Sequence, residues 1–298
     1  MDIHLSQNLV ECSFVRHVEH HPQIDSTNNR ARRLALGQEP LLGHATPSVE
    51  ILQKSLSCLI LADQQSAGRG RGGNRWWTGP GSLAMSLLMP PLADWPRLFQ
   101  RSPRQSSHSS CDPAEEGPFT SFHASRPAFQ PGLIGLAAAL AVLRTVHPRL
   151  PAIELGLHWP NDVFAAGKKL AGVLVEIVSN GLVVVGIGVN TNNTCQEAPE
   201  ELRPRAATLR DLTGQPYPHE EFLPELLGRL EQVFQSLVRR PQQTASEADQ
   251  WCLQKERPLT VQIPEGMVYG ICQGIGPEGE LLLKTPEGVR RIFSGSIR

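Results

Sequence analysis

The segment Ala67-Gly68-Arg69-Gly70-Arg71-Gly72-Gly73-Asn74-Arg75-Trp76-Trp77 combines four glycines, three arginines and two tryptophans. The glycines let backbone N–H groups approach an anion, the arginines supply planar charge-assisted donors, and the indoles add stacking faces. That chemistry suits a phosphate-bearing ligand. The composition alone fits an RNA-binding arginine-glycine patch or a solvated loop equally well. The Lys-Ser/Thr ending of a Walker A loop is missing. A second group, His158-Trp159-Pro160-Asn161-Asp162, ends an expected strand, and Lys168-Lys169-Leu170-Ala171-Gly172 follows a tight turn at Ala165-Ala166-Gly167. A carboxamide, a carboxylate and a lysine returned by a hairpin can converge on one pocket, although such residues at turns are more often simply solvated. A third group, Gly186-Ile187-Gly188-Val189-Asn190-Thr191-Asn192, is a strand running into a Gly/Asn turn.

Metal chemistry has less support. The adjacent His20 and His21 would point to opposite faces of a strand, and no H-E-x-x-H occurs. The six cysteines (Cys12, Cys58, Cys111, Cys195, Cys252, Cys272) include no C-x-x-C pair. They read as reduced, apolar thiols rather than a disulfide framework or zinc ribbon. No metal ligand is assigned.

The elements that must position these groups follow from periodicity. Short Val-, Ile- and Leu-rich runs predict strands at Leu56–Gln64, Ser82–Met89, Leu155–Trp159, Gly172–Val178 and Leu182–Val189. Helices are expected over Ser26–Leu36, Leu133–Val146 and Glu220–Val238, the first capped by Asp25 or Ser26. The mixed order of strands, helices and hairpins gives an α+β class. From Arg257 to Arg298, alternating short strands broken by Pro-Glu-Gly turns at 264–266, 277–279 and 286–288 read as a small appended β-barrel. The expected domains are therefore 1–256 and 257–298. Within the first of these lies Trp95–Gln130, rich in Ser, Pro, Arg and His, which reads as a disordered insertion, with a functional lid as the alternative.

A chain of 298 residues accommodates two domains at roughly 100–200 residues each. With 28 Lys plus Arg against 29 Asp plus Glu, the net charge of −1 provides no global field for nucleic acid or an anionic membrane, so any positive site is local. The longest apolar run, around Gly132 to Val146, falls short of the roughly 18 residues that a spanning helix needs. Met1–Val10 lacks the basic and apolar regions of a secretory signal, so a cytoplasmic setting is expected, with no DNA or membrane partner.

In order, Ser26-Thr27-Asn28, Gln65-Ser66-Ala67-Gly68-Arg69-Gly70-Arg71, Trp76, Trp159-Pro160-Asn161-Asp162, Lys169-Leu170-Ala171-Gly172-Val173-Leu174-Val175-Glu176 and Gly186-Ile187-Gly188-Val189-Asn190 resemble the biotin protein ligase family. The resemblance spans nearly the whole chain apart from Trp95–Gln130. It implies a mixed central sheet with flanking helices, a class II synthetase-like catalytic domain, followed by a C-terminal SH3-like β-barrel. With 25 residues before Ser26, the expectation is the monofunctional form without a DNA-binding domain. The implied reaction joins biotin and Mg-ATP into biotinyl-5′-adenylate, then transfers biotin to a lysine of a biotin carboxyl carrier protein domain; a homodimer is allowed.

By position in the motifs, the resemblance implies Lys169, Arg69, Arg71 and Asp162 as catalytic, with Asp162 orienting or deprotonating the incoming ammonium. It implies Ser26, Thr27, Asn28, Gln65, Gly68, Arg69, Trp76, Lys169 and Gly172 around biotin, and Arg71, Arg75, Trp76, Asn161, Lys169 and Asn190 around ATP, with Mg2+ accompanying the nucleotide. The chain departs from the family at His158, where lysine is usual, which makes one charge titratable near neutral pH. It also departs at Asn74, where arginine is common. The rivals are a lipoate or octanoyl ligase, whose R-x-x-G-G-G-x-V-x-H-D-like segment is missing, and an RNA-binding protein using the Arg-Gly loop.

Overall fold

The computed structural model describes residues 3–42, 57–99 and 131–298. In chain order it contains α1 (Ile3–Cys12), β1 (His17–Ile24), α2 (Thr27–Ala35), β2 (Cys58–Gln65), β3 (Leu83–Met89), α3 (Trp95–Phe99), α4 (Pro131–Val146), β4 (Leu155–His158), β5 (Asp162–Ala165), β6 (Lys168–Ile177) and β7 (Val183–Val189). Then come α5 (Leu209–Thr213), α6 (His219–Arg239), α7 (Pro241–Gln250) and strands β8 (Pro258–Ile263), β9 (Gly266–Ile275), β10 (Leu281–Thr285), β11 (Gly288–Ile292) and β12 (Ser296–Ile297). The first seven strands form one mixed sheet in the order β1-β2-β3-β7-β6-β5-β4. Only β1 and β2 pair in parallel.

The apolar runs of the central strands are nearly unbroken because both sheet faces are covered. Successive strand side chains alternate between faces. Leu59 and Leu61, Leu83, Met85, Leu87 and Met89, and Val183, Val185, Ile187 and Val189 join the main core with α4 and α6. Cys58, Ile60, Leu88 and Val184 face the other way, under Ala31, Leu34 and Ala35 of α2. Beyond Val184, that second face of β7 carries Gly186 and Gly188, which opens the space used by the site below. Helix α4 is apolar nearly all round, since it packs against both the sheet and α6. With the 3-10 turn that follows, it makes a 19-residue helical stretch at 131–149, longer than the sequence run suggests, and 72% of its most apolar window lies inside the protein.

Several sequence expectations change. The first residues of the expected insertion, Trp95–Phe99, form α3, because Trp95, Leu98 and Phe99 fall on one helical face and bury there. Their rings meet Phe14 and Phe234, with Trp95 to Phe234 centroids 5.0 Å apart. The remainder, 100–130, lies outside the described residues. Strand β1, with three His among its eight residues, lacks the apolar signal of its neighbours; it is held at the sheet edge by β2, with Val18 opposite Leu59. The turn expected at Ala165-Ala166-Gly167 is present: Ala166 and Gly167 adopt φ of 50° and 72°, the left-handed pair of a tight two-residue hairpin.

The last five strands form an antiparallel sheet in the order β11-β10-β9-β8-β12, whose outer strands do not pair with each other. The expected barrel is thus an open sheet. It shares the main core through Val261, Ile263, Val268, Leu281 and Leu283. The buried Trp159 donates its indole N–H to the Gly279 carbonyl at 3.0 Å, tying the two sheets together.

Candidate active site

The N-terminus of α2 forms one wall of the site. Ser26 occupies the cap position, but neither it nor Asp25 caps the helix through its side chain. Gln65, at the end of β2, accepts the Thr27 backbone N–H at 2.8 Å through Oε1. The carboxamide of a residue distant in sequence therefore satisfies the orphan donor, and Asp25 is instead committed to Asn29 and Arg33. The Ser86 hydroxyl of β3 contacts both Thr27 Oγ1, at 2.8 Å, and Asn28 Oδ1, at 2.7 Å.

Asn28 Nδ2 donates to Glu176 Oε2 at 2.9 Å, and Arg69 donates to that same oxygen at 2.8 Å. Arg32 occupies the other oxygen at 2.9 Å. Burial alone would raise the Glu176 carboxyl, but hydrogen bonds from Asn28, Arg32 and Arg69 hold it below the usual carboxylate range. Glu176 ends the Lys169–Glu176 motif, and its signal in the sequence is a carboxylate in a strand otherwise rich in aliphatic residues.

The floor depends on the alternation Gly186-x-Gly188. A methyl group at Gly186 would run into Asn28, and one at Gly188 would stand 2.6 Å from Trp76 Nε1. Trp76 thus lies flat on the strand, with its indole N–H buried and without a partner. On the opposite side, Lys169 Nζ lies 5.6 Å from the Trp76 ring centroid and 2.7 Å from Asp162 Oδ2. Asp162 Oδ1 is buried and unpartnered. Asp162 thus pairs with Lys169 through Oδ2 alone.

His158 pairs with Asp162 across β4 and β5 and stacks on Phe164, with centroids 4.5 Å apart and planes at 17°. Burial pushes its imidazole below the ordinary 6.5, an effect that Asp162 opposes and Lys169 reinforces. Burial thus favours the neutral imidazole over the imidazolium.

Arg71 donates to Asn161 Oδ1, the Gly295 carbonyl and Ser294 Oγ, each at 3.4 Å. Burial pushes its guanidinium down, an effect that the nearby Asp162 charge opposes. Among the described residues no carboxylate forms an ion pair with it. The C-terminal contact was invisible in sequence because it joins positions more than two hundred residues apart.

Between these elements lies one cleft of about 220 Å³. It gathers Ser26, Thr27, Asn28, Gln65, Arg69, Arg71, Arg75, Trp76, Asn161, Asp162, Lys169 and Gly172 of the expected residues. Gly68 sits just behind the lining; a methyl group there would press on the Trp76 backbone. Asn190 is not part of the cleft. Its buried amide donates to the Ala207 carbonyl at 3.0 Å and accepts from Asn193 at 3.1 Å, so it pins the loop after β7. A Gly/Asn turn in sequence does not distinguish a ligand contact from such a loop anchor. Among the described residues, no three His, Cys, Asp or Glu side chains converge as a metal site.

The sequence pattern of the Biotin/lipoate A/B protein ligase family matches residues 119–192. The chain is 31% identical over 240 residues to a biotin–[acetyl-CoA-carboxylase] ligase of Mycobacterium tuberculosis, covering 76% of this chain and 72% of that protein. It is 26% identical to the bifunctional ligase/repressor BirA of Bacillus subtilis, covering 95% of this chain and 74% of the relative. Its fold matches the biotin protein ligase from Aquifex aeolicus solved in complex with biotin and ATP, with a TM-score of 0.69 at 24% identity over 95% of this chain and 98% of that one. The class is thus an α+β ligase built on a mixed sheet. The chain belongs to the biotin–[acetyl-CoA-carboxylase] ligase family.

Proposed function

We propose that this enzyme joins biotin to ATP, forming biotinyl-5′-adenylate and pyrophosphate, and then passes the biotinyl group to a lysine of a biotin carboxyl carrier protein domain. The observation that carries this reading is Arg71, a half-buried cation held only by long contacts to neutral acceptors, beside two cations already balanced by Glu176 and Asp162. Such a site gains from an added anion, because a buried charge without a counter-charge is costly.

A carboxylate attacking the α-phosphorus of a triphosphate meets like charge, and fixed positive groups must offset it as the P–O bond to pyrophosphate breaks. In our reading Lys169 and Arg69 meet the biotin carboxylate and α-phosphate, while Arg71, Arg75 and Asn161 serve the nucleotide. Mg2+ enters as part of the ATP substrate, held chiefly by phosphate oxygens. Ser26, Thr27, Asn28 and Gln65 offer the donors and acceptors that a ureido ring requires, with the unpartnered Trp76 N–H and the backbone at Gly68 and Gly172 nearby. We read the C-terminal sheet as SH3-like, contributing Ser294 and Gly295 to hold the Arg-Gly loop. The test is pyrophosphate–ATP exchange without carrier protein: biotin should support it and lipoate should not, and exchange driven by lipoate alone would overturn the assignment.

A further inference from the structure

The second half-reaction needs a base, since a lysine arrives as an ammonium and only its free amine can attack. Asp162, a carboxylate, and His158, an imidazole, are the two cleft-lining side chains with the chemistry of such a base. Asp162 is poorly placed: Oδ2 is bound to Lys169 at 2.7 Å, and Oδ1 is shut off from solvent, beneath Gly172. His158 differs on each count. It lines the cleft, its ring plane is fixed by the stack on Phe164, and one ring nitrogen lies within reach of the Trp159 backbone. A neutral imidazole in that arrangement keeps its N–H toward the backbone and leaves the other nitrogen's lone pair available. The charged groups facing the ring are Asp162 from β5 and Lys169 from β6.

We propose that His158 takes the proton from the carrier lysine's ammonium, an inference that rests on the two-step reaction above. One ammonium proton passes to the imidazole, and the amine attacks the acyl carbon of the adenylate. The new C–N bond forms and the C–O bond to phosphate breaks. AMP leaves with that electron pair, and the second nitrogen proton goes to solvent. Lys169 stays paired with Asp162, 2.7 Å away. An imidazole is better matched to this task near neutral pH than a carboxylate tied into an ion pair.

The test separates the half-reactions. Adenylate formation is followed by pyrophosphate–ATP exchange, and transfer by a single turnover of preformed enzyme-bound adenylate onto a carrier domain. His158→Gln should slow transfer by on the order of a hundredfold, far more than it slows exchange. Wild-type transfer should fall as pH drops through an inflection below 6.5, and the variant should lack that inflection. His158→Ala should regain transfer when imidazole is added to the buffer. Equal losses in both half-reactions, a retained inflection, or no rescue by imidazole would overturn the proposal. A wild-type chain with no biotin-dependent exchange would instead sink the two-step reading itself.

Discussion

Gly188→Ala isolates the contribution of the cleft floor. The added methyl group would stand 2.5 Å from Trp76 Cζ2 and 2.6 Å from Nε1, whereas carbon contacts are comfortable at about 3.5–4.0 Å. The indole must therefore retreat by about 1 Å. Stability should change little: overpacking costs about 1–3 kcal/mol in a closed core, but Trp76 sits on a partly exposed loop that can yield. The lost glycine also lowers the unfolded chain's entropy, which returns about 0.4–1 kcal/mol. Activity should suffer far more, because a misplacement of about 1 Å in a positioned group can cost about a hundredfold. Biotin-dependent exchange measured beside a thermal melt should show that separation, with the loss appearing in KM for biotin. Wild-type exchange in a folded Gly188→Ala protein would refute the role given to Trp76.

Three further outcomes follow from the charge network. Arg71→Gly should make biotinyl-adenylate yet release it faster, so that bystander proteins are labelled more heavily at equal adenylate output; unchanged labelling would leave Arg71 as a loop charge. Arg30→Ala removes the bidentate partner, 2.9 Å away, of the buried Glu19, and should cost about 3–5 kcal/mol in urea denaturation, with Glu19→Gln/Arg30→Met recovering much of it. Asp25 is held at about 2: burial opposes this, but hydrogen bonds from Arg33, Asn29 and the Ser26 backbone prevail. The unfolded chain thus takes up that proton first, and stability falls as pH drops from 3.8 toward 2. Asp25→Asn should weaken the pH dependence in that window, and an unaltered acid transition would count against the pairing with Arg33.

What could be read from the sequence was the set of strands with apolar runs and the local motifs around Arg69, Asp162 and Lys169. Their spacing is short, so hairpins and strand ends fix it. What could not be read depends on distant partners. Gln65 replaces the expected Ser26 or Asp25 cap from another strand, and Glu176 gathers Asn28, Arg32 and Arg69 from three separate positions. Asn190 shows the converse failure, where a polar residue in the right motif turns inward to anchor backbone. The barrel expected from Arg257 onward rests on short alternating strands, Pro-Glu-Gly turns and the family resemblance, but closure depends on whether β11 meets β12, which local pattern does not encode.

The link from Trp159 to Gly279, with a core continuous beneath both sheets, bears on how the molecule comes apart. Trp159 lies in the same short segment as His158 and Asp162, so peeling away the last five strands would strip the support from beneath the cleft and uncover an indole otherwise 1% exposed. The C-terminal sheet is accordingly a buttress rather than a detachable module, and heat should unfold it and the cleft in one cooperative step.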